Sequence, residues 1–162
     1  MTSKAEFTEE EWTRLKRAPF VAGMAISLAD PGGPIEAFKE TAATLKTVTG
    51  AAEGGGRGEL VDAVAREAVE ELRQRKSPVA GFRPKGATAG VEILDELREA
   101  NRIVSEKAAP EEAAAYREWL LSAAKEASEA AKEGGFMGFR AERVSEGEQR
   151  MLDQLAGVLS AS

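Results

Sequence analysis

The sequence predicts an all-α fold, a bundle of about six to seven helices in a single domain spanning residues 1–162. Three observations lead there. Apolar residues recur at three- and four-residue spacing, no segment alternates apolar and polar residues long enough to make a strand, and helix start and stop signals punctuate the chain. At 162 residues, 43% apolar and 31% charged, the chain is long enough to bury a core and too apolar for disorder.

Thr8 and Glu11 have the spacing of a capping box opening a first helix with Trp12 and Leu15. Pro19 either kinks this helix or starts a second, because it has no N–H and fits a first turn. The run Phe20-Val-Ala-Gly-Met-Ala-Ile-Ser-Leu-Ala29 covers about half a bilayer span and reads as a buried core helix stopping near Asp30-Pro-Gly-Gly. Pro34 opens a third helix whose buried face is expected to be Ile35, Phe38, Ala42 and Leu45. Gly50 and Glu53-Gly-Gly-Gly-Arg-Gly58 break it, so 50–58 reads as a flexible connector, without the Gly-Lys-Ser/Thr end of a phosphate loop.

Leu60, Val61, Val64, Ala68, Val69 and Leu72 form the cleanest apolar stripe, with Glu71 and Arg75 spaced to pair on its opposite side. Residues 77–90, with two prolines and three glycines, form a second flexible stretch and the best candidate for a functional or mobile segment. A fifth helix turns Ile93, Leu94, Leu97, Ala100 and Val104 inward. Pro110 opens a sixth that runs to about Glu133. Its alanines, Ala113, Ala114, Ala123, Ala124, Ala127, Ala130 and Ala131, let neighbouring backbones approach, which makes it a central packing spine. Ser145 and Glu148 form another capping box, for a last helix bearing Met151, Leu152, Leu155, Val158 and Leu159. Trp12 to Gly32-Gly33 and Trp119 to Gly134-Gly135 suggest a weak internal duplication.

With 28 Asp+Glu against 22 Lys+Arg the net charge is -6, which argues against a general nucleic-acid or anionic-membrane binder. The chain has no His and no Cys, which removes an imidazole base, a thiolate nucleophile, a nitrogen–sulfur zinc site and a His- or Cys-ligated haem. The acidic start, Met1 to Glu10, is unlike an export signal, so a cytoplasmic location is expected. No cofactor motif is present, and none is expected to bind.

Five groups of residues are weighed as candidates for sites. Glu133-Gly-Gly-Phe-Met-Gly-Phe-Arg140 combines exposed backbone with two aromatic rings, making Phe136, Phe139 and Arg140 candidate ligand or partner contacts, with plugging of the bundle end as the simpler role. Arg73, Arg75, Lys76, Arg83 and Lys85 form a basic run in an acidic chain; Arg83 and Lys85 are candidates for an anionic partner, with dipole compensation and solubility as the simpler account. A metal held by oxygen alone would be Ca²⁺ or Mg²⁺, with Asp30, Glu36, Glu142 and Glu146 as ligands to test. The carboxylates Glu67/Glu70/Glu71, Glu92/Asp95/Glu96 and Glu126/Glu129 read more simply as solvated helix faces. Ser122 and Lys125 match the Ser-x-x-Lys spacing, but the other motifs of that catalytic family are missing.

The Glu133–Arg140 segment, continued by Val144-Ser-Glu-Gly-Glu-Gln-Arg-Met-Leu152, resembles the C-terminal signature of a group of uncharacterised bacterial helical proteins. The start of that group also resembles Phe7-Thr-Glu-Glu-Glu-Trp12 followed by an apolar helix ending in Ala29-Asp30. This resemblance implies a fold and no activity. A fainter one, on Ala29-Asp30 and Glu36, is to tellurite-resistance B proteins, which bind metal through carboxylates; Pro31-Gly-Gly-Pro34 then has to be an insertion, and the second copy lacks the Asp-Gly pair. The expected function is a non-catalytic binding or assembly module forming a homodimer and open to a protein partner, with a carboxylate-based metal-binding stress-response domain as the alternative.

Overall fold

The computed structural model describes residues 2–29, 34–133 and 146–160, and their side chains except those of 34–38 and 131–133. Among the described residues there are six α-helices and no strand: α1 (Glu9–Ala29), α2 (Pro34–Gly54), α3 (Glu59–Arg73), α4 (Ala89–Lys107), α5 (Pro110–Glu133) and α6 (Glu146–Val158). Short 3-10 turns at Lys4–Glu6 and Gly86–Thr88 precede α1 and α4. Helices α1 and α5 each pack against all five others, and they are the two that carry tryptophans.

The predicted capping box opens α1: the Thr8 N–H donates to Glu11 Oε2 at 2.8 Å, and the Glu11 N–H donates to Thr8 Oγ1 at 3.1 Å. Pro19 does not divide the helix, which runs unbroken from Glu9 to Ala29 as one of the six among the described residues. A proline removes the N–H that would serve the carbonyl four residues back, here Leu15, and leaves that carbonyl in need of a donor. Tyr116 of α5 supplies it, its hydroxyl donating to the Leu15 carbonyl at 2.9 Å in the buried core. Burial, and then the Glu96 charge, push the Tyr116 pKa well above its ordinary value, so the phenol keeps the proton this bond requires.

Helix α2 corrects two expectations. It runs through Gly50 to Gly54, so only 55–58 of the expected flexible connector is non-helical. Its described buried face is Glu40, Thr44, Thr47, Val48 and Ala51, whereas Ala42 is exposed and Leu45 half-buried; the Ile35 and Phe38 side chains lie outside the described set. Polar residues occupy this face because their hydroxyls bond to the preceding turn: Thr44 donates to the Glu40 carbonyl and Thr47 to that of Ala43, both at 3.1 Å.

Helix α3 buries Leu60, Val61, Val64, Ala65 and Ala68, close to the predicted stripe. Its first N–H groups are capped from a distance, since the Glu112 carboxylate of α5 accepts from Glu59 at 3.1 Å and from Leu60 at 2.8 Å. Gly58 permits this approach: its φ is +106°, and a Cβ there would lie 2.9 Å from Glu112 Oε2. The Glu71–Arg75 pair is not formed. Arg75 lies beyond the helix end at φ 60°, and Glu71 bonds to Lys16 at 2.5 Å.

Ile93, Leu97, Ala100 and Val104 of α4 are buried as expected, with Leu94 half-buried. The alanine-rich α5 is the predicted spine, with Ala113, Ala123, Ala124 and Ala127 buried, and Trp119 fully buried against the Tyr116 ring at 6.0 Å. Helix α6 buries Met151 and Leu155, followed by buried Leu159. Of its expected capping box, Ser145 lies outside the described residues, and Glu148 accepts from Ser128 of α5 at 3.2 Å.

Candidate functional site

The first half of α1 is joined to its neighbours by charge. Arg14 and Arg17 both donate to Glu96 of α4, at 3.0 and 2.7 Å, and Glu96 is 7% exposed. Lys16 reaches Glu67 at 3.3 Å and Glu71 at 2.5 Å on α3, while Lys4 and the Trp12 indole N–H also donate to Glu67. Glu67, Glu71 and Glu96 are therefore not the solvated face the sequence suggested. They are acceptors between helices, while Glu70, Glu92, Asp95, Glu126 and Glu129 are exposed as expected.

Past Pro19 the helix changes character. A pocket of about 280 Å³ lies between α1, α2 and the connection from α3 to α4. Phe20, Gly23, Met24 and Ser27 form the α1 wall, Thr41 and Thr44 the α2 wall, and Pro78 and Val79 the third side. The helices touch closely at one point, where a Cβ on Gly23 would collide with the Thr44 hydroxyl. The pocket opens beside that contact.

Beneath these walls lies Glu40, 2% exposed, whose Oε2 accepts from Ser27 Oγ. Thr44 Oγ1 donates to the Glu40 carbonyl, so both hydroxyl protons are engaged within the protein. The third side is fastened by Arg17, whose guanidinium lies 5.5 Å from the Phe82 ring centroid and donates to the Ala80 carbonyl at 3.4 Å. Val79 and Phe82 also pack on the core. The connection thus contributes a wall, and with residues 86–88 in a 3-10 turn and Ala89 and Gly90 in α4, the expected stretch 77–90 is shorter as an irregular segment.

Arg83 and Lys85 are exposed, at the far end of this connection from the pocket-lining pair. Phe136, Phe139, Arg140, Asp30 and Glu142 lie outside the described residues, as does the Glu36 side chain. Glu146 is exposed at the start of α6. Among the described residues no group of three or more His, Cys, Asp or Glu is placed to hold a metal ion. Lys125 is exposed and Ser122 half-buried on α5.

Sequence reasoning missed the pocket. Two signals pointed to it: a lone Ser27 within an apolar run, and Thr41, Thr44 and Thr47 at three-residue spacing along one helix. Among the described residues, no helix is long and apolar enough to cross a membrane. Comparison of the chain with protein-family models, with curated proteins and with solved structures finds no match.

Proposed function

We propose that this chain is a non-catalytic binding module that takes a small, largely apolar molecule into the pocket between α1, α2 and the Pro78–Val79 side. The pocket itself carries this reading: at about 280 Å³ it is near the lower end of the range for ligand sites and well above a cavity of about 150 Å³ that holds benzene in another protein. The disposition of charge supports a binding rather than a chemical role. A buried carboxylate–arginine contact, at Glu96, ties α4 to α1, and the buried Tyr116 hydroxyl serves the Leu15 carbonyl.

The test is an amide-shift titration of the full chain with 3-methyl-1-butanol. Saturable shifts concentrated on Phe20, Met24, Ser27, Thr44 and Val79 are the expected result. No saturable shift there overturns the reading.

Self-assembly into a homodimer is a second reading. The alanines of α5 that suggested it are mostly used inside the chain, but Leu28 and Val91, 43% and 60% exposed, flank Gly90 as an apolar surface pair. A native mass spectrum showing a dimer that dissociates on Leu28→Glu would support it, and a monomer would remove it.

A further inference from the structure

We propose that the connection from α3 to α4 is a docking surface for an acidic segment of a protein partner, whose carboxylates pair with the exposed cations Arg75, Lys76, Arg83 and Lys85. This goes beyond the ligand pocket and does not depend on it. The sequence has no Asp or Glu between Glu71 and Glu92, in a chain that holds 28 of them. Arg14, Lys16, Arg17, Arg102 and Lys107 each meet an acid of their own chain at 3.0 Å or less. Arg75, Lys76, Arg83 and Lys85 form no ion pair among the described residues.

The backbone presents these charges to solvent. Helix α3 is closed by main-chain donors, the Arg75 N–H to the Leu72 carbonyl at 2.9 Å and the Lys76 N–H to the Glu71 carbonyl at 3.0 Å. Those carbonyls are therefore served without the Arg75 and Lys76 side chains. Arg75 has a φ of 60°, the one positive value among the described non-glycine residues. A helix end of this shape favours glycine, because a Cβ is strained there. Arginine at this position bears that strain and contributes an outward charge. At the other end Phe82 packs on the core and the Lys85 N–H donates to Glu92 Oε2 at 3.1 Å, so Arg83 and Lys85 flank Pro84 on a stretch held at both sides.

A short acidic segment suits this surface better than a nucleic acid or a membrane. The net charge is -6, and Glu70, Glu92 and Asp95 are exposed on the helices that flank the connection. A long polyanion or an anionic bilayer reaches past the cations and meets that like charge, whereas a few carboxylates do not.

The experiment is a fluorescence-anisotropy titration at pH 7 of a labelled, end-blocked hexaglutamate peptide with the full chain, in about 20 mM and about 150 mM salt. Saturable binding that weakens severalfold at the higher salt is expected. Arg83→Glu with Lys85→Glu should raise Kd by at least about tenfold. Lys46→Glu with Lys125→Glu changes the net charge equally at exposed positions on α2 and α5, and should raise Kd by about threefold or less. Arg75→Gly relieves the left-handed strain, so it should raise the urea midpoint while weakening the peptide, a split that a purely structural Arg75 would not give. No saturable binding at the lower salt overturns the proposal, as does an equal loss in the two double variants. Tighter binding of hexathymidylate or of phosphatidylserine vesicles overturns the acidic-protein partner in favour of a phosphate-bearing one. A more stable Arg75→Gly chain that binds the peptide as tightly overturns the role given to Arg75.

Discussion

The two halves of α1 are built on opposite principles. Residues 9–18 face α3 and α4 through Trp12, Arg14, Lys16 and Arg17, each joined to an acid on a neighbouring helix. Residues 19–29 present small and apolar side chains, and there the packing leaves a pocket. Directional contacts fix distance and register, so a helix tied by several of them has little freedom to adjust its neighbours. Apolar packing is tolerant of shape, and a face that includes Gly23 and Ser27 can meet α2 closely at one point while standing off beside it. The rigid half thereby positions the half that carries the pocket.

The largest effect expected on this contrast comes from Glu96→Gln. It leaves Arg17, on a side chain 14% exposed, without its counter-charge at the α1–α4 interface, and leaves Arg14 with Glu99 alone, at 3.8 Å. Removing one partner of a buried pair costs about 3 kcal/mol, here expected as a lower urea midpoint with an unchanged m-value. A loss below about 1 kcal/mol would mean that apolar packing, not charge, also orders the first half.

The junction between the halves is tested by a double-mutant cycle. Tyr116→Phe leaves the Leu15 carbonyl buried without the donor that Pro19 cannot supply, at a cost of about 1–2 kcal/mol. In a Pro19→Ala background the residue 19 N–H returns to that carbonyl, so the same change should cost about half as much or less. Equal costs in both backgrounds would show that Tyr116 acts through packing alone.

How much of this was legible in the sequence differs between the halves for a physical reason. The Thr8–Glu11 cap, the α3 stripe and the alanine spine are local or periodic patterns, and each reappears in the fold. The α2 face was misread because Thr44 and Thr47 satisfy their own hydroxyls on the preceding turn, which lets polar residues be buried where periodicity counts only apolar ones. The partner of the Leu15 carbonyl stands 101 residues away, and no local rule names it. The acids Glu67, Glu71 and Glu96 were read as solvated because their own helices show only exposed-face spacing. Their cations, Arg14, Lys16 and Arg17, lie on another helix, and three cations just before an apolar run were the available hint.

The smallest effect separates the two sides of the charged half. Burial works to raise the Glu67 pKa, but hydrogen bonds from Lys4 and Trp12 and the Lys16 charge outweigh it and hold the carboxyl below its ordinary value of 4.5. Folding therefore favours the ionised form. The stability it contributes is complete above about 4.5 and is lost as pH falls through the lower folded value. The Glu67 side chain is 33% exposed, so solvent and salt screen the contribution into the range of about 0–1 kcal/mol typical of accessible pairs. Urea midpoints measured from pH 5 to pH 3 should fall with acid in the natural chain and less steeply in Glu67→Gln. Glu99 is lowered too, by hydrogen bonding to Arg102, so part of the slope should survive. Added salt should reduce the Glu67 share more than the cost of Glu96→Gln, because the Glu67 side chain is 33% exposed and that of Glu96 8%. An identical acid slope in the variant would assign the acid sensitivity to other carboxylates and leave the Glu67 contacts as positioning alone.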